Sequence, residues 1–295
     1  MRVSADEATS QLAVCAAVIK TSAPDSVVAG MTAARLHGLW LPPGTDQDLH
    51  IATAEPGAVG RVMTRTRRPE IRPHRFQLDP DDVTALQGVP VTSPARTWLD
   101  LAPQLCLPDL VAAGDSTLRS GVSREQLGDV VARAGRRRGI RLARVALALL
   151  DERSRSRPES HLRVAISGPG LPRFDVNVPV HRDEGGWLTE PDLSLAEAKI
   201  AIEYQGEDHA TVQRMRKDLT RFTDLRLEGW VTLAYGPAET FGRPWQVHAE
   251  VRRTVAERAP HLLPHPPRSR RTRPRTPSGQ LRAEWSATRD HSARR

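Results

Sequence analysis

Alternating apolar and polar side chains mark several short strands, and one of them carries unusual chemistry. Residues 200–204, reading I-A-I-E-Y, set Ile200, Ile202 and Tyr204 on one face at period two. Ala201 and Glu203, continued by Gln205, occupy the other face. The pattern predicts a buried strand that carries a carboxylate inward, an arrangement that is costly unless the charge is paired, protonated or bound to a cation. Gly206 ends the strand in a turn and His209 follows within loop distance, so a carboxylate, an amide and an imidazole gather at one strand end.

The rest of the chain reads as helices and strands in alternation. Residues 4–20 predict a helix packed through Leu12, Val14, Val18 and Ile19, and Asp25 or Ser26 caps a second through Val27, Met31 and Leu36. Residues 48–54 and 70–78 alternate as strands, joined by a hairpin bearing Arg61, Arg65, Arg67 and Arg68. Ser93 with Pro94 starts a helix through Trp98 and Leu101; residues 109–118 form the next. Ser123 and Gln126 form a capping box ahead of Leu127, Val130 and Val131, and a further helix over 139–150 follows the basic run Arg136, Arg137, Arg138.

The polar stretch 151–157 marks a domain boundary. Beyond it, Pro158 opens a helix with Glu159 in its first turn and Leu162, Ala165 and Ile166 as its apolar stripe. Strands are predicted over 174–180 and 187–195, with Asp192 and Ser194 on one face of the second. After the 200–204 strand, a long helix places Met215, Leu219, Phe222 and Leu225 on one side and Arg214, Asp218, Arg221 and Asp224 on another. A strand over 230–235 and a helix from Pro244 through Val247, Val251 and Val255 complete the second half. The expected class is α/β: a mixed module over 1–150, a central mixed sheet flanked by helices over 151–260, and a disordered Arg/Pro-rich tail over 261–295.

Composition narrows the function classes. The length of 295 residues suits two domains, and no apolar run approaches the roughly 18 residues of a membrane span. The stretch 12–19 follows Asp6 and Glu7, not a basic region, so neither a signal peptide nor a membrane partner is expected. Cys15 and Cys106 lack a CxxC spacing and sit among apolar residues, as reduced thiols of a cytoplasmic protein do. Net charge is +8, but nine arginines face only Glu284 and Asp290 after residue 263, so the basicity is concentrated in the tail. Such a tail suits phosphate contacts, and it equally suits a solvated end.

Three acids on three elements, Glu159, Asp192 and Glu203, repel one another when close, and oxygen ligands of this kind suit magnesium or manganese. An ion held there activates water against a phosphodiester. The segments P-E-S-H-L-R, P-D-L-S, K-I-A-I-E-Y-Q-G-E-D-H, K-D-L-T-R and L-E-G-W-V resemble the very-short-patch-repair-like endonuclease domain of the PD-(D/E)XK, restriction-endonuclease-like superfamily. In the front half, A-G-M-T-A-A-R-L-H-G-L and V-T-S-P-A-R-T-W-L-D-L-A are similar to the abortive-infection antitoxin-like region.

The endonuclease resemblance implies a magnesium- or manganese-dependent DNA endonuclease with Asp192 and Glu203 as metal carboxylates and Glu159 as the helix acid. Gln205 takes the place of the superfamily lysine, where the subfamily usually has aspartate. His209 matches the family histidine, Arg221 and Lys199 serve phosphate, and Asp218 supports. Ala234 stands where the family often has arginine. The antitoxin resemblance implies a second reading, a non-catalytic DNA-binding regulator with a degenerate nuclease fold and a toxin–antitoxin or defence-system partner. Outside the resemblance, Glu159 also suits a helix N-terminus, and Asp218 with Arg221 a surface pair at i, i+3.

Overall fold

The computed structural model describes residues 5–45, 47–53, 70–168, 170–206 and 212–264, and it is a mixed α/β protein. It divides into two compact units, Met1–Leu150 and Asp151–Arg295. The arginine cluster at 61, 65, 67 and 68, His209 and the tail beyond residue 264 lie outside the described residues.

In the first unit α1 (Ala5–Lys20) precedes β1 (Ser26–Val28), α2 (Gly30–Leu36), β2 (Leu49–Thr53) and β3 (Ile71–Arg75). A hairpin of β4 (Val83–Leu86) and β5 (Val89–Thr92) leads into α3 (Pro94–Leu101), α4 (Leu107–Arg119), α5 (Arg124–Arg133) and α6 (Ile140–Leu149). The sheet order is β3-β2-β1-β5-β4. Leu12, Cys15 and Val18 of α1 pack with Val28, Ile51, Val89 and Val91 of the sheet. Val27, Ala29 and Ala52 form a second cluster with Phe76, Leu78 and Val83 packed against it.

Two sequence expectations change here. Val27 lies in β1 and not in a helix: Ser26, Val27 and Val28 are all buried, and β-branched valines fit a strand enclosed by neighbours better than a helix surface. The β2 and β3 strands pair in parallel, with Leu49 opposite Ile71 and Thr53 opposite Arg75. A tight hairpin turn cannot join parallel strands, because their ends lie a full strand length apart. The caps agree with expectation. The Ser93 hydroxyl accepts the Arg96 amide at 3.4 Å, and Ser123 with Gln126 exchange bonds at 3.2 and 2.8 Å.

The second unit runs α7 (Arg157–Ile166), β6 (Asp175–Val176), β7 (Val180–His181), β8 (Trp187–Thr189), β9 (Leu193–Leu195), β10 (Ile200–Tyr204), α8 (Val212–Leu227), β11 (Val231–Tyr235) and α9 (Pro244–Arg258). A four-stranded sheet has the order β11-β10-β9-β6, and β7 pairs with β8 as a separate hairpin. Leu162 and Ile166 of α7 and Val247, Val251 and Val255 of α9 pack with Leu193, Ile200 and Ile202. Ala201 points the other way, into a cluster with Leu225, Trp230, Val180 and Leu188 that Phe222 flanks. The period-two reading of β10 therefore matches two differently covered faces.

Each of the two strands predicted ahead of β10 is broken into two short ones. Asn177, with φ 48°, ends β6. Pro191 has no amide proton to extend a ladder between β8 and β9.

Candidate functional site

Glu203 enters the sheet interior as the alternation requires, and its residue is only 4% exposed. Its Oε2 lies 3.2 Å from Arg221 Nη2 of α8. On the antiparallel side of β10, Ile202 faces Leu193, so continuing the register by one step sets Glu203 against Asp192. Asp192 Oδ2 accepts the Tyr204 amide at 2.8 Å. Burial pushes the Asp192 carboxyl up to about 6; the Tyr204 amide opposes this, the Glu159 charge adds to it, and Arg221 and Arg155 act against it.

Asn177 joins the remaining acid to this corner. Its backbone amide donates to the Asp192 carbonyl at 3.0 Å, and its Nδ2 donates to Glu159 Oε2 at 2.8 Å. Glu159 also accepts from the Arg155 amide at 2.7 Å and from the Ser156 hydroxyl at 2.8 Å. Ser156, the N-cap of α7, takes the Glu159 amide at 3.4 Å, so Glu159 completes a cap at the start of its own helix.

The structure thus gathers Glu159, Asp192, Glu203 and Arg221 at one corner of the second unit. Among the described residues, no group of three or more His, Cys, Asp or Glu side chains is spaced to hold a metal ion. As folded, a guanidinium stands on Glu203, and bonds from amides and a hydroxyl hold Glu159, so a divalent cation at this corner would have to displace Arg221.

Gln205 and Lys199 are placed differently. Gln205 is exposed past the end of β10, where its amide donates to the Tyr235 carbonyl at 2.9 Å and prolongs the β10–β11 ladder. Ala234 pairs with Glu203 in the parallel register and is exposed. Lys199 sits at the opposite end of β10 in a left-handed conformation. Its Nζ bonds both Asp183 oxygens, at 2.8 and 2.7 Å, and the Glu228 carbonyl at 3.1 Å. Asp218 lies on α8, with its side chain outside what is described, as is His209.

The first unit holds a feature that the sequence disclosed only in fragments. A cavity of about 510 Å3 is lined by Arg75, Phe76, Arg96, Arg133, Arg136, Arg137 and Arg138, with Asp79 and Asp82. Arg96, nearly fully buried, is its floor. It reaches Asp100 at 3.0 Å, Asp82 at 2.5 Å and the Gln77 carbonyl at 2.8 Å. Arg137 bonds Asp100 at 2.6 Å, and Arg133 meets Asp82 at 3.2 Å and Asp79 at 3.4 Å. The guanidinium carbons of Arg96 and Arg137 stand 5.3 and 5.7 Å from the Phe76 ring centre. Phe76 in turn stacks on His74, whose Nε2 lies at hydrogen-bond distance, 2.9 Å, from His50 Nδ1. Arg96 and Asp100 lie four apart in a helix whose other residues are apolar but for Thr97, a signal of this buried network present in the sequence beside the basic run that carries Arg137.

Residues 26–152 match the family model of the AbiEi antitoxin C-terminal domain, a stretch that spans most of the first unit. Two relatives, the uncharacterized proteins MT2308 and Rv2248 of two Mycobacterium tuberculosis strains, are each 32% identical over 170 residues, 57% of this chain and 62% of theirs. The chain therefore spans less than two thirds of the length of these curated relatives. No solved structure matches the chain.

Proposed function

We propose that the protein is an antitoxin-like regulator that binds nucleic acid within a toxin–antitoxin or defence system, with the first unit as the regulatory part. One observation carries the reading: the stretch matching an antitoxin domain coincides with the unit that presents an arginine-lined cleft. Phosphate contacts by arginine supply affinity without chemistry, which suits a unit whose described residues form a buried structural ion network rather than a set of nucleophile, base and acid.

The test is fluorescence anisotropy of the full chain with labelled duplex and single-stranded DNA across a salt series. Binding that weakens steeply as salt rises is expected, because each phosphate contact releases a counterion. Absence of binding to either form at low salt would overturn the DNA part. Growth of cells expressing a partner toxin tests the other part: co-expression of this chain should restore it.

A second reading, metal-dependent phosphodiester hydrolysis by the second unit, is supported by the neighbouring positions of Asp192 and Glu203 on β9 and β10. It requires Arg221 to release Glu203. Calorimetry with magnesium and manganese tests it on the parent and on Arg221→Ala; no binding heat in either protein would sink it.

A further inference from the structure

We propose that the cleft of the first unit is a site for closely spaced phosphates, as carried by a nucleic-acid strand or a nucleoside polyphosphate, read by Arg75, Arg136 and Arg138. The inference rests on the nucleic-acid reading above and deepens it by naming the surface and its chemistry.

The cleft arginines fall into two tiers. Arg96, Arg133 and Arg137 are committed to Asp79, Asp82 and Asp100, so their charge is largely answered within the protein. Arg75, Arg136 and Arg138 are exposed on the rim, and none has an acidic partner among the described residues. Like charges gathered around one concavity repel, and the wall focuses their field into it, so a polyanion entering relieves the repulsion. Guanidinium forks match phosphate oxygens in pairs, where an ammonium acts as a single point charge.

Placement of this rim is built into the fold. Gly139 holds φ 81° at the start of α6, and a Cβ there would lie 2.7 Å from the Ala102 carbonyl carbon and the Pro103 nitrogen. That close approach ties the 136–138 run to the end of α3. On the other wall, Arg75 closes β3, and the next residue, Phe76, is gripped by the inner guanidiniums. Backbone held this way loses little conformational freedom when a ligand arrives, so the ordering cost is confined to the three side chains. The cavity lies within the usual range for small-ligand sites, and it would take a few phosphates of one strand rather than a duplex. Contacts made this way read backbone and not base edges, so binding should be indifferent to sequence.

The test uses the full chain and three probes: a labelled oligothymidylate strand, ATP and inorganic triphosphate. The triple variant Arg75→Glu, Arg136→Glu, Arg138→Glu should bind roughly tenfold or more weakly and show a salt slope shallower by about two to three. The corresponding triple lysine variant should keep the parent's salt slope, since the charges remain, and bind with an affinity between those of the parent and the glutamate variant. A control, Arg252→Glu with Arg253→Glu on α9, should stay within about twofold of the parent. If only the strand binds, a nucleic acid is the source; if triphosphate and ATP bind and displace the strand, a nucleoside polyphosphate shares the site. A parent that binds the strand equally well after the triple charge reversal overturns the cleft and leaves the nucleic-acid reading standing. A parent that binds none of the probes overturns the cleft, and removes the nucleic-acid reading as well when duplex DNA also fails to bind. Circular dichroism of each variant separates lost binding from lost folding.

Discussion

The Asp192 carboxylate accepts the Tyr204 amide at 2.8 Å, so a side chain from the residue before β9 takes the bond that a backbone carbonyl would otherwise take beside β10. The contact places a charge at a half-buried sheet end, beside Glu159 and within reach of Arg221.

The first prediction follows from that placement. Burial raises Asp192 from its ordinary value of 3.8 to about 6, so the folded state binds its proton more tightly than the unfolded chain. Stability should therefore fall as pH rises from about 4 to 6 and remain lowered above that. Asp192→Asn keeps an oxygen for the Tyr204 amide and removes the charge. It should stabilise the second unit by about 1–2 kcal/mol at neutral pH, a figure reduced for solvent screening, and flatten this part of the pH profile. Urea melts at several pH values measure it; an Asn variant less stable than the parent at pH 7 would count against the reading.

The second prediction concerns Glu203 and Arg221, 3.2 Å apart with the carboxylate 5% exposed. Arg221→Leu should destabilise the protein because a buried carboxylate loses its cation. Glu203→Gln should restore much of that loss in the double variant, giving a coupling of about 1–2 kcal/mol in a double-mutant cycle. Additive effects would show that the pair does not interact.

Arg96 supplies the third. Its guanidinium joins two aspartates whose side chains are 5% and 0% exposed. Arg96→Met leaves both carboxylates in the interior and should cost about 3–5 kcal/mol. Thermal melting should show the loss, and Asp100→Asn in the same background should recover part of it.

The fourth tests Gly139. An added methyl meets backbone at 2.7 Å and demands a left-handed conformation from an L-residue. Gly139→Ala should destabilise the first unit by roughly 1–3 kcal/mol. It should also weaken binding of the phosphate strand, since the run that carries Arg136 and Arg138 is displaced. Unchanged stability would mean that α3 and the α5–α6 connection can part without cost.

Local chemistry was legible in the chain itself. Ser123 with Gln126 and Ser93 with Pro94 announce helix starts because a cap needs only neighbours three residues away. The β10 alternation announced a buried Glu203 for the same reason: period two assigns faces without knowing what covers them. The parallel pairing of β2 with β3, the break at Asn177 and the strand character of Val27 were not legible, since each depends on which distant segment lies alongside, whereas the break at Pro191 follows from the proline itself.

The same division applies to the sites. Sequence named Glu159, Asp192, Glu203 and Arg221, and the fold decided that a guanidinium answers Glu203 while Glu159 caps its helix. Sequence showed Arg136 to Arg138 as a basic run and left Arg75 and Arg96 unremarked. Only the tertiary structure set them around one cavity, because charges far apart along a chain act together only when folding brings them within a few ångströms.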